Sequence, residues 1–357
     1  MRKSKKKANT RQKNRKRREM MLKIAIIGLG TVSSVHYQGI QESRNGQLVA
    51  VCDTDESCRT IYEGIPFYTD VEEMLANEDL DVVHICLPHY LHYPITKLCI
   101  EHGVHVLQEK PLSLNYEEGL RTAELAKNYP SKIAVCFQNC YNASVQGLMT
   151  ALKEEDHGAI IAVKGLVAWH RPNQYYIDKP WRGKWETAGG GTIINQAIHT
   201  LDLMQLVGGE LLSCKASLSN ITDYDMEVEA TAGANVTFQD DVSGFYKSTN
   251  AYPTTSSVEL EVTTEKATYI IKNYQLFKID LEGNLTVLAK DDQTIGTKSY
   301  YGPSHATLIQ GFYDAVENDS DDYVTVEDAL PSMLMIDAMK KSSIEARNIK
   351  MEEIKDV

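Results

Sequence analysis

Gly28-Leu29-Gly30-Thr31-Val32-Ser33 follows an apolar run and opens a helical stretch, and here residue type and spacing first imply chemistry. The pattern is G-x-G-x-x-S. Gly28 permits a tight turn, and Gly30 lets a pyrophosphate approach the backbone at a helix N-terminus, where unpaired N–H groups bind anions. Ser33 is small enough to take the place of a third glycine at the helix–strand contact. Asp53 ends the next strand-like run, 23 residues beyond Gly30, where an acid bonds the ribose 2′-hydroxyl of a dinucleotide. Thr54, Asp55 and Glu56 come next, with no Arg or Lys to hold a 2′-phosphate, so the spacing favours NAD over NADP. An Asp at such a place can also simply cap the following helix. Strand, glycines and acid together favour the cofactor.

Three further segments carry polar groups suited to reaction chemistry. One run ends in Leu87-Pro88-His89, with His92 one turn on, and the next ends in Gln108-Glu109-Lys110-Pro111. The third is Gly189-Gly190-Gly191-Thr192-Ile193-Ile194-Asn195-Gln196-Ala197-Ile198-His199, in which Asn195 and His199 are spaced i, i+4 and are expected on one face of one helix over about 192–206. Histidine exchanges a proton near neutral pH, and a lysine beside a reacting oxygen can stabilise developing negative charge. All three tryptophans fall within residues 169–185, in Trp169-His170-Arg171-Pro172-Asn173-Gln174-Tyr175-Tyr176 and Trp181-Arg182-Gly183-Lys184-Trp185. Aromatic rings beside Arg and Asn suit a sugar, whose C–H faces stack on rings while its hydroxyls meet polar groups. Trp169, at a strand end, is expected to pack. His36, His84, His102, His105 and His157 read as core or surface histidines. No pair of histidines has metal-ligand spacing with a third ligand in view, so no catalytic metal is expected.

The elements that must position these residues follow from the apolar pattern. Short runs at 22–27, 48–52, 82–87, 104–108 and 132–137 alternate with amphipathic stretches near 34–43, 55–63, 70–77, 91–102 and 115–128. Continuous apolar strands separated by helices indicate a parallel sheet covered on both faces, a doubly wound domain over residues 21–140. Both Pro88-His89 and Lys110 then sit at carboxyl ends of parallel strands, where such sheets place ligands. Beyond residue 140 the run 159–169 leads through the aromatic loop and the glycines into alternating segments at 211–221, 227–238, 242–249, 257–263 and 267–273, with helical patterns near 304–317 and 326–346. This predicts a second domain, residues 141–357, with a large, open, mostly antiparallel sheet and flanking helices.

Composition bounds the function. The chain has 357 residues, 43% apolar and 24% charged, enough for two packed domains. No apolar stretch is long enough to span a membrane. The net charge of −12 conceals a split: residues 1–19 carry eleven Lys/Arg against Glu19, which leaves −22 for the remainder. A body this acidic repels phosphate backbones, so a nucleic-acid partner is not expected. The basic segment 1–20 lacks a core of its own and reads as an over-extended start with the natural chain beginning at Met20 or Met21, the alternative being an arm for anionic surfaces. Seven cysteines without a CxxC read as reduced thiols, hence a cytoplasmic protein.

Taken together, the glycine turn, Glu109-Lys110-Pro111 and the triple glycine followed by His199 resemble the glucose–fructose oxidoreductase / inositol dehydrogenase family, written Gfo/Idh/MocA, over nearly everything from residue 21 onward. The resemblance implies that Lys110 lies between nicotinamide and the reacting carbon and that His199 is the proton acceptor. Asn195 stands where many members have Asp, a form similar to a sugar-oxidising subset, and reads as a substrate hydrogen-bonding residue. Cys140 stands where relatives often carry Arg, which argues against a strongly anionic substrate at that spot. The implied cofactor set is Gly28, Gly30, Thr31, Val32, Asp53, Leu87, Pro88, His89, Glu109, Lys110 and Gln138; the implied substrate set is Tyr176, Trp181, Arg182, Asn195 and His199. The implied activity is NAD-dependent hydride transfer to or from a sugar, cyclitol or sugar derivative, in a homodimer or homotetramer. The alternative is a non-catalytic NAD- or sugar-sensing regulator of the same fold; retention of both Lys110 and His199 favours the enzyme. The division of labour between those two residues stays open at this level.

Overall fold

The computed structural model describes residues 21–154, 156–292 and 304–355. The basic segment expected at 1–20 lies outside them. Leu22–Ile27 (β1), Gly46–Cys52 (β2), Phe67–Tyr68 (β3), Val82–Ile85 (β4), His105–Glu109 (β5) and Ile133–Cys136 (β6) form a parallel sheet in the order β3-β2-β1-β4-β5-β6. This is the strand order of a dinucleotide-binding sheet. The central strands are mostly apolar because each has two buried faces, with His84, Gln108 and Glu109 as buried polar exceptions. Ile24, Ile26, Val82, Leu107 and Ala134 meet one helical layer, whereas Ala25, Ile27, Val83, Val106 and Val135 meet the other. The crossovers are Ser33–Glu42 (α1), Val71–Asn77 (α2), His92–Glu101 (α3) and Tyr116–Asn128 (α4), followed beyond β6 by Ala143–Glu154 (α5). The stretch near 55–63 forms only a 3-10 turn, Glu56–Thr60.

The second sheet contains Ile160–Ala168 (β7), Leu211–Ser219 (β8), Thr231–Phe238 (β9), Ser243–Thr249 (β10), Glu259–Thr264 (β11), Ala267–Lys272 (β12), Gln275–Asp280 (β13), Leu285–Lys290 (β14) and Ile349–Lys350 (β15). Their order is β14-β13-β12-β11-β7-β10-β9-β8-β15, antiparallel except where β7 and β10 run parallel. Strands β13 to β15 extend the sheet beyond the five segments that alternation picks out. One face is covered by Ile198–Gly208 (α6) and Val326–Glu345 (α8). A Cβ at Gly165 would come within 2.5 Å of Met204 Sδ, so glycine there lets α6 lie close on β7. On β10, Gly244, Tyr246 and Ser248 point inward while Phe245 stays half exposed on the open face.

Between the sheets the chain does not divide cleanly. His305–Asn318 (α7) returns to the parallel sheet and places Leu308, Ile309, Phe312 and Tyr313 among Ile24, Ile26, Ile40 and Leu48. Val135 N–H then donates to Val324 O before α8 crosses to the second sheet. No helix of the described residues is long and apolar enough to cross a membrane.

A buried polar chain runs beneath this return. Cys86, Glu109 and Cys136 stand in a row on adjacent strands, covered by His36 from α1 and His305 from α7. His36 Nε2 lies 3.0 Å from Glu109 Oε1, His36 Nδ1 lies 2.9 Å from His84 Nδ1, and His84 Nε2 lies 2.9 Å from Tyr313 Oη. Burial opposes charge on His36, but the Cys86 and Cys136 sulfurs and the Glu109 carboxylate outweigh it and hold its pKa well above the ordinary value. Burial raises Glu109, but hydrogen bonds and charge from His305 and His36 outweigh it and hold the carboxyl well below the ordinary range. Burial and the His36 charge keep His84 neutral. Imidazolium His36 then donates to both Glu109 and His84, and His84 donates to Tyr313. His36, Glu109 and Cys136 offer ligand atoms within 4.8 Å of one another, but this hydrogen-bonded pairing accounts for the cluster.

Removing one partner of a buried pair costs about 3–5 kcal/mol, so Glu109→Gln should lower unfolding free energy by an amount near that range in denaturant titrations. Glu109's contribution is present above the carboxyl value of 4.5 and is lost as pH falls through its depressed folded pKa; His36's is present below 6.5 and is lost as pH rises through its raised one. The difference between wild type and Glu109→Gln should therefore peak at about pH 5–6 and shrink on either side.

Candidate active site

A cleft of about 690 Å³ opens at the carboxyl ends of β1, β2, β4 and β5 and is roofed by the aromatic loop. At its floor, Gly28 has φ +90°, and a Cβ there would lie 2.7 Å from Cys86 O, so only glycine fits. A Cβ at Gly30 would meet nothing within 4 Å, which leaves the N-terminal turn of α1 open to the cleft. No acid stands in that turn to compete with a phosphate. Asp53 lies across from it. Its Oδ2 accepts from Leu29 N–H (2.7 Å) and its Oδ1 from Asp55 N–H (2.9 Å), so the carboxylate is fixed with lone pairs to spare for ribose hydroxyls. These residues fit a dinucleotide: an open glycine cradle, a bare helix N-terminus and an oriented acid.

The reacting end is built where β5 meets the glycine segment. Lys110 Nζ donates to Asn195 O at 2.8 Å. Burial pulls the Lys110 pKa down against the pull of Glu109 and Cys136, and the charges of Arg182 and Arg171 lower it further. His199 packs edge-on to Phe137 at 5.7 Å, and its Nδ1 is buried without a hydrogen-bond partner. Burial, then the Lys110 charge, pull its pKa down to about 3, so the ring is neutral at neutral pH. His89 donates from Nδ1 to Ala188 O (2.8 Å) and meets the Trp181 ring edge-on at 4.8 Å. Trp181 and Arg182 close the rim, Arg182 lying 4.0 Å over the Tyr175 ring and donating to Tyr175 O.

The expected helix over 192–206 is broken. Thr192–Asn195 forms one helical turn and α6 begins at Ile198, because Ala197 N–H donates to Thr192 O, one residue further back than an α-helix allows. Gln196, at the break, is drawn aside by Asn250 Nδ2 and Tyr175 Oη. Asn195 and His199 thus reach the cleft from two short elements, not one helix face. The first turn is held by Glu229, whose carboxylate accepts from Gly191 N–H and Ile193 N–H at 2.9–3.0 Å. A Cβ at Gly191 would fall on Glu229 O, which explains the third glycine.

Of the residues expected from the sequence, Gly28, Gly30, Thr31, Val32, Asp53, Leu87, Pro88, His89, Glu109, Lys110, Gln138, Trp181, Arg182, Asn195 and His199 all line this cleft. Tyr176 does not. It is buried beneath the loop with its hydroxyl accepting from Asn250 Nδ2, and Tyr175, one residue earlier on the turn, lines the cleft instead. Cys140 lies outside as well, its Sγ bonded to Phe137 O, in a separate acidic hollow beside Asp202 and Asp328. Cys140 itself therefore contributes nothing to the charge of this cleft. Sequence reasoning missed Arg171, Lys179 and Glu229. Arg171 and Lys179 sit in the loop singled out for its aromatics, while Glu229, in a strand-like stretch, gave no signal. His92 packs: its ring nitrogens reach Leu87 O (2.9 Å) and Pro111 O (2.7 Å), bracing the two strand ends against each other.

Residues 22–137 match the oxidoreductase family's NAD-binding Rossmann fold, and residues 150–351 match its C-terminal alpha/beta domain. D-Glucoside 3-dehydrogenase of Escherichia coli K12 is 28% identical over 53% of this chain, which there spans 54% of the relative. Myo-inositol 2-dehydrogenase of Thermotoga maritima is 23% identical over 93% of this chain and 99% of the relative. The WlbA dehydrogenase of Bordetella pertussis, solved with NADH and UDP-GlcNAcA, superimposes with a TM-score of 0.81 at 24% identity over 92% of this chain and 98% of its own. Levoglucosan dehydrogenase, solved with NADH and levoglucosan, gives 0.83 at 18% identity over 93% and 100%. The chain spans about half the length of several curated relatives that it matches.

The fixed Asp53 carboxylate predicts cofactor preference. Asp53→Ser should weaken NAD binding and narrow or invert its margin over NADP, read by fluorescence titration of the reduced cofactors. Tighter NADPH than NADH binding by the wild type would sink the assignment.

Proposed function

The chain belongs to the Gfo/Idh/MocA oxidoreductase family, and from that premise we propose that it transfers a hydride between NAD and a secondary alcohol or ketone of a sugar, cyclitol or sugar derivative. The observation that carries the reading is the meeting of Lys110, Asn195 and His199 in one cleft with the glycine turn and Asp53. Among the family relatives are enzymes named for glucosides and inositol.

Nicotinamide, when bound, accepts or returns the hydride. Gly28, Gly30, Thr31 and Val32 hold the pyrophosphate at the α1 N-terminus, and Asp53 takes the ribose. Leu87, Pro88, His89 and Gln138 form the wall beside Lys110. Glu109, turned toward His36, fixes the strand end from which Lys110 reaches the cleft. In the oxidising direction, neutral His199 accepts the hydroxyl proton as the hydride leaves carbon. Burial and, second to it, the Lys110 charge hold His199 neutral and ready to accept a proton, and the same Lys110 charge would favour the alkoxide form of a hydroxyl placed beside it. The Asn195 amide bonds a neighbouring hydroxyl, and Trp181, Arg182 and Tyr175 cover the sugar.

A second copy of the chain covers the open face of the antiparallel sheet, where Phe245 is half exposed and Lys164–Glu261 and Lys272–Glu259 pair among apolar neighbours. The protein acts in the cytoplasm, where its seven cysteines stay reduced. Sedimentation at micromolar concentration should show a dimer or tetramer, and a monomer would refute the covered face.

Lys110→Ala and His199→Ala should each lose at least about 10²-fold in turnover, followed as NADH absorbance with a panel of sugars and polyols, while NAD affinity is largely retained. The double variant should lose far less than the product of the singles. The pH profile of kcat/KM should lack a break near 6.5 from His199. Tight NAD binding without turnover of any sugar or polyol would favour the regulator.

A further inference from the structure

The reacting end of the cleft is cationic. Lys110, Arg171 and Arg182 line it, and the only carboxylates among the described lining residues are Asp53, at the ribose end, and Glu109, paired with His36. Both arginines are held in place by stacking. Arg182 lies over Tyr175 and, at 5.7 Å, over Trp181; Arg171 lies over Trp169 at 4.9 Å and Tyr175 at 5.5 Å. Arg182 spends one donor on Tyr175 O and makes no ion pair among the described residues. A guanidinium has five donors, so most of its fork stays available at the rim. Both line the cleft together with Lys110 and His89, and their charges act there, Arg182 and Arg171 on Lys110 and Arg182 also on His89. Lys179, by contrast, acts on Asp55 at the ribose end and is left to the cofactor.

We propose that the substrate is an anionic sugar derivative whose carboxylate or phosphate is bound by Arg182 and Arg171, with its reacting carbinol between Lys110 and His199. This rests on the dehydrogenase reading and narrows its substrate class. A planar guanidinium fork matches two oxygens of a carboxylate or phosphate at once, and stacking on rings has already restricted its rotamers. A neutral sugar would offer the open Arg182 fork only hydroxyls, which make weaker hydrogen bonds to it than a carboxylate or phosphate does.

The test pairs each anion with its neutral parent: glucuronate, glucose 1-phosphate and glucose 6-phosphate against glucose, and galacturonate and galactose 1-phosphate against galactose. Two readouts are taken, turnover with NAD and quenching of the fluorescence of protein-bound NADH. At least one anion should exceed its parent by about tenfold or more in kcat/KM or in affinity, and whether it is a uronate or a phosphate identifies the group. Arg182→Gln should reduce the anion's value at least about tenfold more than its parent's, and Arg171→Gln should reduce it in the same sense, whereas Arg182→Lys should retain part of the preference. Raising salt should weaken the anion and not the parent. Parity, or preference for the neutral sugars, overturns the proposal while leaving the dehydrogenase reading intact. Anion-selective binding without turnover of any sugar upholds the site and overturns the dehydrogenase reading.

Discussion

The buried His36–Glu109 ion pair is the constraint on which the site depends. Glu109 is the last residue of β5, and successive side chains on a strand point to opposite faces. Once Glu109 is committed to His36 beneath α1, the direction of the chain leaving β5 is set, and Lys110 is delivered to the cleft. Gln108, facing the other layer, folds the exit back by donating to Pro111 O and Leu112 O. His36 comes from the helix whose N-terminus forms the phosphate cradle. One pair therefore couples the glycine turn and Lys110, and the chain through His84 to Tyr313 anchors both to α7.

The other half of the site hangs on a second buried carboxylate used differently. Glu229 makes no ion pair among the described residues; it is satisfied by backbone N–H groups of Gly191 and Ile193, and burial raises its pKa. It acts as a helix cap supplied from the neighbouring segment, holding Thr192–Asn195 where the Asn195 carbonyl can take the Lys110 ammonium. The two halves meet in that single Lys110–Asn195 hydrogen bond of 2.8 Å, so the position of the lysine depends on both sheets.

Local pattern made the parallel sheet and its ligand-bearing strand ends legible, because doubly buried strands are mostly apolar and the glycine turn must follow β1. The family resemblance added the roles proposed for Lys110 and His199, which no spacing argument supplies. What stayed illegible depended on contacts distant in sequence. The helix break at Ala197 arises because Asn250 and Tyr175 hold Gln196 aside, and nothing in residues 192–206 signals it. Tyr175 and Tyr176 are adjacent and chemically alike; only Asn250, which takes the Tyr176 hydroxyl, decides which ring is buried. Alternation failed for β14, whose residues are mostly exposed along its length, because an edge strand has no buried partner on one side.

The charge of the whole protein and the charge of the cleft have opposite signs, and this separates the two stages of binding. The sequence beyond residue 19 carries a net −22, so an anion approaching at long range meets a repulsive field. Mobile ions screen that field within roughly 8–10 Å at physiological salt. Arg171, Arg182 and Lys110 act inside that distance, in a partly desolvated cleft where charge interactions are stronger than at the surface. Long-range steering thus works against an anion and short-range binding works for it, and discrimination falls on how slowly the bound molecule leaves, not on how fast it arrives. Burial lowers Lys110 and His199 most; the Arg182 and Arg171 charges lower Lys110 further, and the Lys110 charge lowers His199, so the arginines act on the lysine as well as on any anion in the cleft.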